Sequence, residues 1–379
     1  METRPIAQES TGLERTSVLQ DLFWREMRMT LAQLLQHRKT VEMKLRRHGV
    51  DGDDAFYLLA FLYVTESPSP LQSPERIEQK GQAALHRLDT DPEMVADLRG
   101  LVRADPLGEH LPVWYQHFVG RRFREASGKF FTPRPVANAM ARLAPLKPGS
   151  VIMDPTCGGG TFLVEASKVL ASSPCTLVAN DVEPTLIDLT RVVLGLGTPT
   201  HHEKHYADSN IYEPSAELRS WESAVDVILA NPPFSIPVDH VRLESPLFTL
   251  GYRNSDALFL DVCFALLKTG GRLICLVPHS IVANGEFARF RIAVEDRWDL
   301  LGTIGMPEGV FHLTANTSTR ADIILLQKKA APLFSPLFFA FAPSVGVALN
   351  GRGREGQPGN RLSEIAGNNE VMGVLGVNG

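Results

Sequence analysis

Val151-Ile152-Met153-Asp154-Pro155-Thr156-Cys157-Gly158-Gly159-Gly160-Thr161-Phe162 reads as an apolar strand, a glycine-rich turn and the start of a helix. The strand is predicted over Val151–Asp154 and the helix over Phe162–Ala171. Glycines there let the backbone turn sharply and approach a ligand closely. The turn opens a helix N-terminus, whose dipole favours a negative group. Outward from it, short apolar runs alternate with helical segments. Strands are predicted at Leu177–Asn180, Val225–Ala230, Leu273–Val277, Leu300–Ile304 and Ala321–Gln327, and helices at Pro184–Leu196, Ala257–Leu267 and Phe287–Glu295. Such alternation over roughly 200 residues predicts an α/β fold with a parallel, doubly wound sheet and right-handed crossovers.

Two phosphate-binding patterns lack their deciding residues. A dinucleotide turn needs G-x-G-x-x-G, and Leu163 stands where the third glycine belongs; no Lys-Ser/Thr pair supplies a nucleoside-triphosphate loop. Asp154, at the strand's end, would repel a pyrophosphate and suits a cation or an amino acid's ammonium. S-adenosylmethionine carries a sulfonium and an α-ammonium but no phosphate, so it meets these conditions. Asp181 follows the second strand, where an acid accepts hydrogen bonds from ribose hydroxyls. Glu183 competes for that part, and either acid could instead cap the next helix. Asp208, after a third strand-like segment, is placed to rim the cofactor's adenine, although Asp208-Ser209-Asn210 also reads as a turn.

Asn231-Pro232-Pro233-Phe234 follows the Val225–Ala230 strand. Prolines hold φ near −65° and carry no N–H, so the Pro232 carbonyl is not drawn into a helix and can meet a ligand. The Asn231 side-chain oxygen is a second acceptor, and Phe234 offers a π face. Acceptors beside an aromatic ring suit a planar substrate with an exocyclic amine. The competing reading is a strand end followed by a Pro-Pro loop.

The chain has 379 residues, 44% hydrophobic and 21% charged, a composition able to bury a sizeable core in more than one domain. Its net charge of −5 argues against a wholly basic nucleic-acid coat protein and leaves a local basic face open. Cys157, Cys175, Cys263 and Cys275 lie far apart with no CxxC pair, which suggests a reducing compartment and no zinc site. Met1–Thr16 has no apolar core of a signal peptide, and no run reaches membrane-span length, so a cytoplasmic location and no membrane partner are expected. Residues 1–125 are predicted as a helical domain, with Val18, Leu22, Phe23, Met27, Leu31, Leu34 and Leu35 near a 3.6 period and a breaker run at Ser67-Pro68-Ser69-Pro70. Residues 126–333 form the α/β domain, and 334–379 a C-terminal hairpin and Gly-rich tail.

Together these residues resemble the N6-adenine DNA methyltransferases of the gamma motif order, above all the modification subunit of type I restriction–modification systems. Gly128-Lys129-Phe130-Phe131-Thr132-Pro133 resembles that family's segment closing over the cofactor's methionine end, Asp154 to Phe162 its cofactor loop, and Asn231 to Phe234 its catalytic tetrapeptide. Thr269-Gly270-Gly271-Arg272 and Pro307-Glu308-Gly309-Val310-Phe311 also fit, and the likeness covers roughly residues 110–365. It implies a Rossmann-like S-adenosylmethionine-dependent methyltransferase sheet, mostly parallel with its last strand antiparallel. It implies Phe130, Phe131, Thr132, Pro133, Asp154, Pro155, Cys157, Gly158, Gly160, Thr161, Phe162, Asp181, Asp208 and Asn231 as cofactor residues, and Asn231, Pro232, Pro233 and Phe234 as catalytic ones. Double-stranded DNA, a separate specificity subunit and a restriction or other defence subunit are the implied partners. The chain is short for such a subunit, and residues 334–379 are too few and Gly-rich to read DNA sequence independently. The Gly159-Gly160-Thr161 order also departs slightly from the family's loop.

The implied chemistry is methyl transfer to the N6 of a flipped-out adenine. Asn231 Oδ1 and the Pro232 carbonyl would hold its hydrogens, and Phe234 would stack on the ring. A methyltransferase for a protein glutamine or an RNA adenine, or a non-catalytic binding module of the same fold, are the alternatives. His202-Glu203-Lys204-His205 is one residue short of H-E-x-x-H, so His201, His202 and His205 are not read as metal ligands. Cys157 is read as a packing residue. Ser235 to Asp256, carrying Arg242, Arg253 and Asn254, reads as a mobile loop over DNA or a plain surface excursion. The Arg38, Lys39, Lys44, Arg46 and Arg47 cluster, Arg121, Arg122, Arg124 and Lys129, and Arg352, Arg354 and Arg361 read as solvated faces or phosphate contacts.

Overall fold

The computed structural model describes residues 31–67, 71, 73–119, 131–311, 320–330, 336–347, 349 and 359–377. Eight strands form one sheet: β1 Val151–Asp154, β2 Thr176–Asn180, β3 Glu203–Ala207, β4 Val225–Ala230, β5 Leu267–Pro278, β6 Trp298–Gly305, β7 Ala321–Lys328 and β8 Phe338–Phe341. Their order is β3-β2-β1-β4-β5-β7-β6-β8. Five residues of β4 are buried, which is why its sequence is almost continuously apolar: helices cover both faces there. The strand order reverses between β1 and β4. In open α/β sheets, ligands bind beyond the strand ends at such a switch point.

The sheet is mostly parallel. The reversed strand is β7, the final strand predicted from the sequence, antiparallel to both β5 and β6. It is not at the edge of the sheet. The sequence predicts a hairpin and tail over 334–379, whereas β8 adds an edge strand parallel to β6, followed by short Arg361–Ile365 and Asn369–Leu375 helices. The strand hides in the sequence because it has four residues and only Phe338 and Ala340 turn inward. Gly302 of β6 leaves room for the Phe338 ring, where any side chain would collide.

Among the described residues, six helices precede β1: Leu31–Arg47, Gly52–Thr65, Glu75–His86, Pro92–Arg103, Leu111–Phe118 and Arg134–Arg142. Val18 to Met27, Pro68 to Pro70 and the predicted boundary near residue 125 lie outside the described residues. The Gly52–Thr65 helix buries Ala55 through Ala60 without interruption, so it is a central helix rather than an amphipathic surface one. Its neighbours share one apolar core with the Arg134–Arg142, Thr161–Leu170 and Pro184–Gly197 helices and one face of the sheet. The Ser255–Leu266 helix packs on the other face. Asp188 of the Pro184–Gly197 helix, 3% exposed, receives Arg76 Nε at 3.1 Å and the Tyr57 hydroxyl at 3.3 Å from the preceding helices. Burial pushes its carboxyl up, and Arg76 opposes that. Arg134 bridges Glu109 and Glu165, tying the segment after Thr132-Pro133 to the Thr161–Leu170 helix. Among the described residues, no helix is long and apolar enough to cross a membrane.

Candidate active site

β1 ends at Asp154, and the chain turns through Gly160 into the Thr161–Leu170 helix. Gly158 (φ +52°) and Gly160 (φ +74°) take the left-handed conformation that glycine adopts without strain. A Cβ on Gly158 would stand 3.0 Å from the Phe131 ring, and one on Gly160 3.1 Å from the Thr190 methyl. The loop is fastened by Asn180, the last residue of β2. Its Nδ2 donates to the carbonyls of Pro155 (2.9 Å) and Ser209 (3.0 Å), while its Oδ1 accepts the Ser209 N–H at 3.1 Å. The Asn180 carbonyl accepts the Cys157 N–H at 2.8 Å. Thr190 Oγ1 donates to the Gly158 carbonyl at 2.9 Å. Asp181 accepts the Gly158 N–H on one carboxylate oxygen and the Glu183 N–H on the other, each at 3.1 Å.

A cavity of about 360 Å³ opens at the switch point between β1 and β4. Pro155, Thr156, Gly158 and Asp181 form its β1–β2 side, with Phe131, Val182 and Leu186 as apolar walls. Asn210 to Glu213 line it beyond β3, and Asn231, Pro233, Ile236 to His240 and Ser255 line it beyond β4. Its lining holds three acids, Asp181, Glu213 and Asp239, and no lysine or arginine among the described residues. That electrostatic character suits a cationic, phosphate-free cofactor. Glycine at 158 keeps the floor low enough for close contact, so the residues present fit S-adenosylmethionine.

At the end of β4, Asn231 donates through Nδ2 to Thr132 Oγ1 at 3.2 Å. Ser235 has φ +56°, a strained value for a residue with a Cβ, and is held by Asp256, which accepts its N–H at 2.9 Å and its hydroxyl at 3.2 Å. Burial pushes the Asp256 carboxyl up, and these two bonds oppose the shift. Ser255 Oγ donates to the Pro233 carbonyl at 2.6 Å and accepts the Ile236 N–H at 3.0 Å. The stretch to Asp256 is thus braced rather than loose. Asn254 caps the Ser255–Leu266 helix, Arg253 stacks on Phe248, and Arg242 pairs with Glu213.

The structure gathers Phe131, Pro155, Gly158, Asp181, Asn231 and Pro233 around the cavity. Thr132 is 7% exposed and touches it through Asn231. Pro133 caps the Arg134–Arg142 helix, and Phe130 lies outside the described residues, as do Gly128, Lys129, Arg121, Arg122, Arg124, Arg352 and Arg354. Asp154 does not line the cavity: it is 1% exposed and spends Oδ1 on the Thr156 N–H at 3.1 Å. Burial pushes its carboxyl well up, and the charge of Asp181 adds to that. Cys157, Gly160, Thr161 and Phe162 stand outside the lining, where Phe162 packs in the core and burial pushes the Cys157 thiol well up. Asp208 is exposed, and its neighbour Asn210 reaches the cavity instead. Pro232 is buried, and the Phe234 ring is 8% exposed within the core, so neither lines the cavity. His202 is buried against His201, while His205 packs on Trp221 and pairs with Glu203. Lys44 and Arg46 of the basic cluster pair with Asp97 and Glu42. Asn180, Asn210, Ser255 and Asp256 were not singled out by sequence. Asn254-Ser255-Asp256 ahead of an apolar run is a helix-start pattern, the one sequence signal that could have found the last two.

The family model described as N-6 DNA Methylase matches residues 108–344. Among curated proteins, the chain is 26% identical over 240 residues to the type I restriction enzyme MpnII methylase subunit of Mycoplasma pneumoniae, covering 57% of this chain and 42% of that protein. It is 30% identical over 215 residues to a tRNA (guanine(6)-N2)-methyltransferase of Thermus thermophilus, covering 56% of this chain and 59% of that protein. The matches thus span about half the length of these relatives. Among solved structures, the methyltransferase subunit of a type I restriction-modification system from Streptococcus thermophilus superposes with a TM-score of 0.51 at 20% identity, over 76% of this chain and 64% of that one.

Proposed function

The chain belongs to the N-6 DNA methylase family, and on that premise we propose that it transfers a methyl group from S-adenosylmethionine to the N6 amine of an adenine in DNA. The observation that carries this reading is that Asn231, at the end of β4, lines the same cavity as Gly158 and Asp181 across the switch point. Bound there, S-adenosylmethionine supplies an electrophilic methyl on a sulfonium. Asp181 lines the cavity where ribose hydroxyls would lie, and Phe131, Val182 and Leu186 shield the site from water. The adenine N6 lone pair is delocalised into the ring and is a poor nucleophile. Asn231 Oδ1 and, once the loop shifts to bring it to the cavity, the Pro232 carbonyl accept its two hydrogens, draw the nitrogen toward sp³ geometry and stabilise the positive charge that develops on it. The target atom is inaccessible in a duplex, so the base must leave the stack. Stacking on Phe234 requires a shift of the loop, because its ring now packs in the core.

Several relatives are methylase subunits of type I restriction enzymes, which supports assembly of this chain with a specificity subunit and a nuclease or other defence subunit. The experiment is methyl transfer to duplex DNA from labelled cofactor, with and without a co-expressed specificity protein. Asn231→Ala should lose about 100-fold or more in rate while cofactor affinity measured by calorimetry holds. Near-wild-type turnover by the variant would overturn the mechanism. The likeness to a tRNA guanine-N2 methyltransferase favours one second reading, an exocyclic amine of RNA. Transfer to tRNA and not to DNA would select it.

A further inference from the structure

S-adenosylmethionine runs from adenine through ribose to the sulfonium and its methyl, and the strands at this edge of the sheet run β3, β2, β1, β4. With Asp181 after β2 and Asn231 after β4, the adenine end falls beyond β3, about 14 Å from β4 at the usual strand spacing. Asn210, Ile211, Tyr212 and Glu213 line the cavity there. Their turn is fastened to the end of β2, where Asn180 Nδ2 donates to the Ser209 carbonyl at 3.0 Å and its Oδ1 accepts the Ser209 N–H at 3.1 Å. The Glu213 N–H closes the turn on the Asn210 carbonyl at 3.1 Å. Within it, the Tyr212 N–H donates to Asn210 Oδ1 at 3.0 Å. A backbone N–H can only donate, so this contact settles which end of the Asn210 amide is oxygen. The other end, Nδ2, has no partner among the described residues and belongs to an exposed side chain at the cavity. The acids nearby are placed differently: Glu213 pairs with Arg242 at 3.0 Å, and Asp208 stands outside the lining.

We propose that Asn210 reads the cofactor's adenine by donating from Nδ2 to a ring nitrogen, in place of an acid accepting from the exocyclic amine. The proposal rests on the S-adenosylmethionine reading above. Adenine's unsubstituted ring nitrogens carry a lone pair and no hydrogen, so they accept; its exocyclic amine donates. An amide nitrogen matches the first and opposes the second. The Tyr212 N–H keeps the amide from turning over, because the reverse orientation would set Nδ2 against another donor. The contact therefore also sorts purines: a base that carries hydrogen on the nitrogen facing Asn210 would present N–H to N–H and leave both donors unpaired.

The test is calorimetric titration of the full chain with S-adenosylhomocysteine and with analogues in which one purine nitrogen at a time is replaced by C–H. S-adenosylhomocysteine has no sulfonium, so a charge added to the cavity does not draw it in. Wild type should lose about three- to tenfold in affinity for one of the analogues, the loss of one neutral hydrogen bond. Asn210→Ala should bind that analogue and the parent alike, because both changes remove the same contact. Asn210→Asp keeps an acceptor for the Tyr212 N–H and turns the free end into a second acceptor, so it should bind the parent more weakly than Asn210→Ala does. Asn210→Asp binding as tightly as wild type would overturn the proposal and return the contact to the exocyclic amine. Penalties from Asn210→Ala and from every analogue that simply add would overturn it as well. Wild-type protein that does not bind S-adenosylhomocysteine would sink the cofactor reading and this contact with it. Wild type that shows the expected coupling yet methylates no adenine would sink only the proposed substrate.

Discussion

Asp181→Asn isolates the acid that joins the glycine loop to the Pro184–Gly197 helix. The aspartate is 6% exposed and uses one oxygen on the Gly158 N–H and the other on the Glu183 N–H, both at 3.1 Å. Asparagine has the same shape and only one acceptor atom. Its NH₂ must therefore face one of those two N–H groups, and a charge-assisted bond becomes a donor facing a donor. Hydrogen bonds to charged groups are worth about 1.5–3 kcal/mol, so cofactor affinity should weaken by about 10- to 100-fold. The assay is calorimetric titration with S-adenosylmethionine and with an analogue lacking the ribose hydroxyls. Wild type should lose affinity for the analogue, and that loss should be smaller in Asp181→Asn, because the altered carboxylate is the proposed partner of the ribose hydroxyls. A variant Kd within about twofold of wild type, or penalties from variant and analogue that simply add, would refute the assignment of Asp181 to the ribose.

Two further predictions concern stability. Ala171, at the C-cap of the Thr161–Leu170 helix, has φ +47° and ψ −99°, so Ala171→Gly should relieve about 1 kcal/mol of strain and raise Tm; a lowered Tm would contradict it. The Asp154 carboxyl is pushed well above its ordinary 3.8 by burial, so it favours the fold while protonated. That contribution is whole below the unfolded pKa and is lost as pH rises toward the folded one, at about 1.4 kcal/mol per pH unit. Asp154→Asn should therefore gain stability over wild type as pH increases from about 4. A denaturation series in which the difference shrinks with pH would show that Asp154 is ionised and stabilising.

The alternation of strands and helices was legible because each strand of the parallel part is an apolar run bounded by turn residues, as at Val151–Asp154 and Val225–Ala230. β8 escaped because only two of its four side chains turn inward and its pairing partner lies more than thirty residues back, Gly302 with Phe338. The two loops of the site were legible as motifs, since glycine and proline carry their backbone geometry with them. Their supports were not. Asn180 acts on Pro155 and Ser209 across β1 and β3, and Ser255 acts on Pro233 across a surface excursion. Such bonds depend on which strands become neighbours, and no local pattern states that. The same limit applies to Phe234: its sequence position permits a stacking face, but the loop's turn sends the ring into the core.

Asp188 sets where this protein can be cut and rejoined. It lies on a helix of the sheet, yet Arg76 and Tyr57, which satisfy its buried carboxylate, come from helices more than a hundred residues earlier. A chimera joining foreign N-terminal helices to this sheet would leave that acid without its cation, at a cost of about 3–5 kcal/mol for an unpaired buried charge. Transplanting the sheet half alone therefore calls for changing position 188 with it, or for carrying Tyr57 and Arg76 across as part of the graft.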